Sequence, residues 1–224
     1  MIMKLNKLVL IPVLALSIAA IFAGCSSKEN VTATTGAYSS PVEGNGAKTL
    51  ENLQTAFNGE TNANAKYLEY AKKADAEGYT KVAGLYRAAA RAEEIHAGNH
   101  AAVIKKMGGT PKAEVKLPEI KTTKENLEDS VKGETYERDT MYPEFLLEAR
   151  TAGNKDALRT FNLAKTAEGE HAKLYAEALA NLENWKGGTT TFYVCPTCGY
   201  TTTNADLKKC PVDFVAKEKF EAIS

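Results

Sequence analysis

Residues 93–96 read Glu-Glu-Ile-His and residues 168–171 read Glu-Gly-Glu-His, so one Glu-x-x-His spacing occurs twice in the chain. On a helix, side chains three positions apart project from the same face. A single Glu-x-x-His on a helix is usually a solvated pair. Two copies that lie in phase with apolar stripes instead predict acidic and imidazole groups facing a helical core.

The chain around these motifs predicts four helices, because apolar residues recur at steps of three and four. Gly78 ends the first helix and the Gly108-Gly109 pair ends the second. Pro143 lies inside the third and predicts a kink there. The predicted helices cover residues 49–77, 80–107, 122–151 and 155–185.

The connections between these helices fix the topology. Two of them are too short for anything but antiparallel neighbours. Residues 110–121 contain Pro111 and Pro118 and have no helical period, so they form one long crossover. Four helices with one crossover form a ferritin-like bundle. The predicted fold is therefore mainly α, with this bundle over residues 48–186 and a small metal-binding β knuckle over residues 187–224.

Each predicted helix carries a glutamate in the middle of its apolar face. Glu60 and Glu134 lie on the first and third helices, and the two Glu-x-x-His pairs lie on the second and fourth. Burying unpaired carboxylates is costly, and the inner stripes hold too few Lys and Arg to pair with them. Two metal ions would supply the charge, each taking one histidine, and this ligand pattern is typical of di-iron and di-manganese bundles. The six ligands are Glu60, Glu93, His96, Glu134, Glu168 and His171.

Three other inner-facing side chains lie near this predicted site. His100 follows His96 by one turn but has no glutamate three residues before it, which favours a core or supporting histidine over a ligand. Tyr67 and Tyr142 fit core packing, and a phenol near a metal can also donate a hydrogen bond or a proton.

The N-terminal segment predicts export. Residues 1–24 combine Lys4 and Lys7 with an apolar run and small residues before Cys25, which is typical of a lipoprotein signal peptide, although Phe22 replaces the usual leucine. Residues 25–47 predict a flexible tether. We therefore expect a protein lipid-anchored through Cys25 on the periplasmic or cell-surface side of a bacterial membrane. The formal net charge of zero favours no nucleic-acid partner.

The C-terminal segment predicts a second metal site. Cys195 and Cys198 form a C-x-x-C knuckle, and Cys210 begins a second half. A rubredoxin would place a fourth cysteine at the position of Asp213. Iron bound by three thiolates and this carboxylate, zinc in a structural knuckle, and a defective three-ligand site all remain open, as does a Cys195–Cys198 disulfide.

Taken together, the motifs resemble the rubrerythrin family over residues 48–222. The resemblance is carried by residues 55–63, by Glu93-Glu94-Ile95-His96-Ala97, by Gly133-Glu134 with Met141-Tyr142-Pro143, and by Ala167-Glu168-Gly169-Glu170-His171. Glu137 matters most, because an additional carboxylate here separates rubrerythrins from plainer ferritin-like proteins. The resemblance implies Glu137 as a seventh ligand, iron as the metal, and Tyr67 and Tyr142 beside it.

The resemblance also implies a function. Rubrerythrins are typically homodimers that reduce hydrogen peroxide to water and protect against oxidative stress, with electrons passed through a rubredoxin-like iron centre. Because NAD(P)H is not expected outside the cytoplasm, we expect a cytochrome, a quinol or another redox protein as donor. The alternatives are a ferroxidase or iron-handling protein with a structural zinc knuckle, which Asp213 motivates, and an electron-transfer module.

Overall fold

The four predicted helical segments are present in the computed structural model, which describes residues 41–224. The predicted signal peptide, Cys25 and residues 25–40 of the predicted tether lie outside the described residues. The third segment is divided in two. The helices are α1 (Pro41–Ala76), α2 (Thr80–Lys106), α3 (Thr123–Tyr136), α4 (Tyr142–Thr151) and α5 (Lys155–Ala180).

Helix α1 starts earlier than predicted, so residues 41–47 of the predicted tether are helical. Gly44 and Gly46 have low helix propensity, so the sequence did not predict a helix over residues 41–47. A proline at the first helical position is compatible with a helix, because its missing N–H would have had no partner there. At the other end, α5 stops at Ala180 and a short 3₁₀ turn, Leu182–Trp185, completes the segment that was predicted as continuous helix.

The helix ends follow the predicted signals. Gly78 has φ +81°, and the turn it forms lets the Tyr79 N–H reach the Ala74 carbonyl oxygen at 2.9 Å. Thr122 caps α3: its hydroxyl accepts from the Glu125 N–H at 3.3 Å, and the Glu125 carboxylate accepts from the Thr122 N–H at 3.2 Å. This reciprocal capping box fixes the start of α3.

The irregularity predicted at Pro143 takes the form of a π-helical segment, Glu137–Met141, between α3 and α4. Proline lacks an N–H, and its ring clashes with the carbonyl group four residues earlier. A wider π turn directly before the proline accommodates both effects, and such turns are frequent at functional sites.

The crossover is fastened to α1 by amide side chains. Gln54, Asn58 and Asn62 lie at steps of four on α1, and each bonds to crossover backbone. Asn62 donates to the Glu114 carbonyl oxygen at 2.9 Å and accepts from the Lys116 N–H at 2.7 Å. These amides take the place of a strand edge, so an extended segment satisfies its backbone groups without a sheet.

The C-terminal segment folds into a three-stranded antiparallel sheet in the order β2-β1-β3. It lies against α2, where the Arg91 guanidinium donates to both Glu221 carboxylate oxygens at 2.7 and 2.8 Å. The mainly α bundle with a small C-terminal β knuckle is thereby confirmed. The strands are β1 (Phe192–Val194), β2 (Thr201–Thr202) and β3 (Glu221–Ile223).

The apolar core of the bundle is divided into two clusters. One includes Tyr67 and Tyr86, and the other includes Leu53 and Ile104. Along each long helix, the predicted ligand positions lie between residues of these clusters. Within residues 41–224, no helix combines the length and apolar composition that crossing a membrane requires.

Candidate metal centre

All six ligands predicted from helical phase meet in the middle of the bundle. Each of these side chains is at most 1% exposed. Their ligand atoms form two groups, and within each group they all lie within 4.8 Å of one another. The groups are Glu60, Glu93, His96 and Glu168 for one site, and Glu93, Glu134, Glu168 and His171 for the other.

Glu93 and Glu168 belong to both groups, so they would be the carboxylates that bridge two bound ions. The two oxygens of Glu168 divide between the histidines: Oε1 lies 2.9 Å from His96 Nδ1, and Oε2 lies 2.9 Å from His171 Nδ1. Glu60 and Glu134 each belong to one group and would serve as terminal ligands. Helical phase gave the set of ligands, but only the packing of α1, α2, α3 and α5 separates bridging from terminal ones.

The side chains fit metal ions, because their inward atoms are otherwise left without partners. Among the described residues, buried oxygens of all four glutamates and the Nδ1 atom of His171 make no hydrogen bond of normal geometry. The 2.9 Å distances from Glu168 to the two histidines are therefore ion-pair contacts without hydrogen-bond alignment. A buried polar atom without a partner costs roughly 1–3 kcal/mol, and a charged one costs more. Carboxylate oxygens and imidazole nitrogens are suitable donors for divalent iron.

The electrostatics of the bundle site also indicate that it binds cations. Burial and repulsion by neighbouring carboxylates raise the pKa of Glu60 well above its usual value and the pKa of Glu134 to about 7. Burial alone would raise the pKa of Glu168, but His96 and His171 lower it to about 2. Burial opposes charge on these histidines, yet the carboxylates raise the pKa of both. Without a metal, these raised pKa values favour protonation of the site. The binding of metal ions would then release protons.

Glu137, which the family resemblance added as a seventh ligand, belongs to neither group. It is half-buried at the start of the π-helical segment. Burial, with repulsion by Glu60 and Glu134, raises its pKa well above the usual value, so it lies within the field of the site. A further carboxylate entering an already acidic cluster would add like charge. Coordination by Glu137 stays a prediction.

Two phenols hold the terminal carboxylates. The Tyr67 hydroxyl donates to Glu134 Oε1 at 2.5 Å, and the Tyr142 hydroxyl donates to Glu60 Oε1. Burial and the neighbouring carboxylate raise the pKa of each tyrosine, so both stay protonated donors. The sequence placed both phenols near the metals, and the structure adds the partner of each.

A longer hydrogen-bonded chain ends on Glu60 and includes a residue that the sequence reading missed. Because the Tyr142 proton points to Glu60, Tyr142 accepts from His100 Nε2 at 3.1 Å, and His100 Nδ1 then accepts from the Thr160 hydroxyl at 2.9 Å. Burial lowers the pKa of His100 to about 3, which keeps the ring neutral. His100 therefore supports Tyr142 and is outside both ligand groups. Thr160 lies eight residues before Glu168 on the inner stripe, a signal that was available.

The C-terminal ligands also converge. Ligand atoms of Cys195, Cys198, Cys210 and Asp213 lie within 4.8 Å of one another. Cys198 Sγ lies 3.5 Å from Cys210 Sγ, and Cys195 Sγ lies 3.4 Å from Asp213 Oδ2. All three cysteines are free thiols, so the structure has no Cys195–Cys198 disulfide among them; the thiols face a shared centre instead.

The two halves of the knuckle repeat one backbone pattern, which places Asp213 at the fourth ligand position. The Cys195 N–H bonds to the Tyr200 carbonyl oxygen at 2.9 Å, and the Cys210 N–H bonds to the Val215 carbonyl oxygen at 2.7 Å. In this repeat Asp213 corresponds to Cys198. Its Oδ1 atom accepts from the Val215 N–H at 3.1 Å, and this bond helps to lower its pKa although burial acts to raise it.

The knuckle touches the bundle site directly. His96 Nε2 lies 2.9 Å from the Cys198 carbonyl oxygen, and His171 Nε2 lies 3.3 Å from the Gly199 carbonyl oxygen. Since each Nδ1 faces the carboxylates, each Nε2–H donates outward to knuckle backbone and fixes the ring orientation, as second partners of metal-bound histidines commonly do. One hydrogen bond thus joins a ligand of one site to a ligand residue of the other.

Comparisons with known proteins agree with this geometry. The rubrerythrin family model matches residues 51–179, more than half of the chain. The chain belongs to the rubrerythrin family. Nigerythrin of Nitratidesulfovibrio vulgaris is 40% identical over 175 residues, covering 78% of this chain and 86% of that protein. Rubrerythrin-2 of Clostridium acetobutylicum is 35% identical over 184 residues, covering 79% and 97%.

Solved structures extend the match to three dimensions. A mixed-valence state of nigerythrin superimposes with a TM-score of 0.73 at 38% identity, over 78% of this chain and 86% of that one. A bacterioferritin of Desulfovibrio desulfuricans, described with a di-iron site, gives a TM-score of 0.58 at 25% identity, over 64% and 84%. As a rubrerythrin, the chain has a di-iron site in the bundle and a metal site in the C-terminal knuckle.

Replacing a bridging carboxylate should cost more metal than replacing a terminal one. Glu168→Gln removes a ligand from both groups, so we expect both bundle irons to be lost on desalting, whereas Glu60→Gln should retain part of the iron. Metal analysis measures this, with the knuckle metal as an internal reference. Equal iron contents in the two variants would contradict the assignment of bridging roles.

Gly199 should be required for contact between the two sites. It has φ +74°, and a Cβ atom here would lie 2.4 Å from His96 Nε2. We expect Gly199→Ala to move the knuckle off the bundle and slow electron transfer from the reduced knuckle to the oxidised di-iron site, measured by stopped-flow absorption. Gly98→Ala on α2 is the control, because its Cβ would meet nothing within 4 Å. Equal transfer rates in both variants would show that the contact is not used.

Proposed function

We propose that this rubrerythrin reduces hydrogen peroxide to water at the di-iron site, with electrons passed through the C-terminal knuckle. The observation that carries the proposal is the hydrogen bond from His96 Nε2 to the Cys198 carbonyl oxygen, at 2.9 Å. This bond joins the knuckle, which would accept electrons one at a time, to the di-iron site, which would transfer two electrons to peroxide. An iron-storage bundle has no need of such a link.

The bundle residues would hold two ferrous ions, which together supply the two electrons that cleavage of one O–O bond requires. Glu93 and Glu168 would contact both ions, while Glu60 with His96 and Glu134 with His171 would complete the two sites. Flexible carboxylates can change their mode of binding as the charge of the irons changes. The core clusters on both sides keep bulk water from the ligands.

The surrounding side chains orient the terminal carboxylates and keep hydrogen-bond donors beside them. Reducing peroxide to two water molecules consumes two protons. Tyr67 and Tyr142 each hold a phenolic proton against a terminal carboxylate, and their raised pKa values keep that proton in place at neutral pH. His100 and Thr160 fix the direction of the Tyr142 hydrogen bond.

Stopped-flow mixing of the anaerobic ferrous protein tests the proposal. We expect peroxide to oxidise the di-iron site much faster than an equal concentration of oxygen, with water as the product. The second candidate is an iron-handling protein, which the carboxylate Asp213 in a thiolate position favours. Fast oxidation by oxygen but not by peroxide would support that candidate and contradict ours.

Asp213 is proposed as the fourth ligand of a redox-active iron in the knuckle. Carboxylate is a harder donor than thiolate, so it should alter the potential and metal preference of the site. We expect about three irons per chain and a thiolate-to-iron charge-transfer band. Two irons with one zinc would instead indicate a structural knuckle.

Substitution separates these two cases. Asp213→Cys should shift the charge-transfer band to that of an ordinary rubredoxin if Asp213 binds the metal. Asp206→Cys is the matched control, because Asp206 is exposed and belongs to no ligand group. An unchanged spectrum in Asp213→Cys would remove Asp213 from the coordination sphere.

The site of action is a separate proposal that depends on the N-terminal sequence. A lipid-anchored, exported protein would act on peroxide near a membrane surface and take electrons from a cytochrome, a quinol or a redox protein, most simply as a homodimer. Cys25→Ser should then move the protein from the membrane fraction to the soluble fraction of the cells that make it. An unchanged distribution would exclude anchoring through Cys25.

A further inference from the structure

Four tyrosines form one contiguous cluster next to the di-iron site. We call Tyr67, Tyr70, Tyr86 and Tyr175 the tyrosine cluster. Each is at most 2% exposed. The ring centroids of Tyr67 and Tyr86 lie 5.7 Å apart, those of Tyr86 and Tyr70 lie 5.4 Å apart, and those of Tyr86 and Tyr175 lie 5.2 Å apart. Every ring is therefore in contact with another.

The hydroxyl groups of the cluster lead from the metal ligands to the protein surface, and α3 provides a partner for three of them. Tyr67 donates to the ligand Glu134 at 2.5 Å. Tyr86 lies 3.3 Å from the Ser130 hydroxyl, one turn before Glu134. Tyr70 donates at 3.0 Å to Asp129, whose side chain is 51% exposed. Tyr70, the last phenol in the series, thus donates its hydrogen bond to the Asp129 carboxylate, which is in contact with water.

Packing alone does not account for these phenols. Phenylalanine would fill the same volume without burying a hydroxyl group, which is costly when it lacks a partner. The Tyr175 hydroxyl is buried with no hydrogen-bond partner among the described residues, at a cost of roughly 1–3 kcal/mol. What phenol offers beyond phenylalanine is a ring that can give up an electron together with a proton.

We propose that the tyrosine cluster is a reserve of single electrons for the di-iron site. Peroxide needs two electrons and two protons to become two water molecules, whereas the knuckle delivers electrons one at a time. A site that holds one reducing equivalent when peroxide arrives lacks the second. The cluster supplies it: Tyr70 loses one electron through Tyr86 and Tyr67, and its phenolic proton passes to Asp129. The two protons that complete the water molecules are taken up from solvent. The external donor, a cytochrome, a quinol or a redox protein, then returns one electron, and a proton returns from solvent through Asp129, which restores Tyr70.

The radical is expected on Tyr70 because the Tyr70 hydroxyl can transfer its proton to Asp129. Asp129 is partly exposed and pairs with Lys66 at 3.1 Å, so a proton it receives can pass to solvent. Within residues 41–224, the Tyr175 hydroxyl has no acceptor for its proton, and Tyr67 donates to a carboxylate already held in the bundle site. The inference rests on the proposed peroxide reduction, because it needs peroxide as the oxidant.

Freeze-quench electron paramagnetic resonance tests the inference on the full, iron-loaded chain. The di-iron site is reduced with one electron and mixed with one equivalent of hydrogen peroxide. We expect an organic radical whose spectrum narrows when the protein carries ring-deuterated tyrosine. Tyr70→Phe, which keeps the ring in the core, should lose this signal, and Asp129→Asn should weaken it. Tyr193→Phe in β1, outside the cluster, should leave it unchanged.

A parallel arm with the fully reduced protein separates this inference from the function it rests on. If that arm fails to consume peroxide, the proposed function fails. If it consumes peroxide but the one-electron arm gives no tyrosine radical, the electron reserve is refuted. A radical of equal yield in wild type and Tyr70→Phe would also refute it, because the route would not end at Tyr70.

Discussion

The structure depends on the repulsion among four buried carboxylates. Glu60, Glu93, Glu134 and Glu168 meet in the centre of the bundle, where water cannot screen them. Two histidines alone do not satisfy their oxygens. Two cations resolve the repulsion, so the feature that destabilises the empty bundle is what gives it affinity for iron. The apolar clusters on both sides hold the helices together against this repulsion.

The same constraint explains why the knuckle lies where it does. Each histidine turns Nδ1 toward the carboxylates, which leaves Nε2–H at the outer face of the bundle. The backbone carbonyl oxygens of residues 197–199 accept hydrogen bonds from these N–H groups, and one of them also accepts from the Asn99 side-chain amide at 2.8 Å. The hydrogen bonds of the bundle histidines thus help to position the knuckle and its metal site. Its close approach requires a residue without a side chain at position 199.

Much of this could be predicted from the sequence, because helical phase is local information. The two Glu-x-x-His pairs, with Glu60 and Glu134, gave the ligand set, and loop lengths gave the topology. Features that depend on contact between helices were not predictable in this way. The bridging role of Glu168, the link from Thr160 through His100, and the docking of the knuckle on His96 all need the three-dimensional packing.

Other differences arise from local chemistry that the pattern did not resolve. The early start of α1 was not predicted because Gly44 and Gly46 have low helix propensity. These residues are nevertheless helical, since they continue directly into the rest of α1. The π-helical segment lies where a proline was expected to disturb the helix, but periodicity could not give its form. Glu137 came only from the family resemblance, and the structure places it outside both ligand groups although the nearby carboxylates raise its pKa.

The most direct test of this account is an anaerobic titration of the metal-free protein with ferrous ion, followed by Mössbauer spectroscopy and thermal unfolding. Carboxylate-bound and thiolate-bound iron differ in isomer shift, so the two sites are counted separately. We expect two carboxylate-type irons per chain, and the midpoint of unfolding should rise as they bind. Saturation at one such iron, or binding that leaves the unfolding midpoint unchanged, would contradict a bundle stabilised by a metal pair.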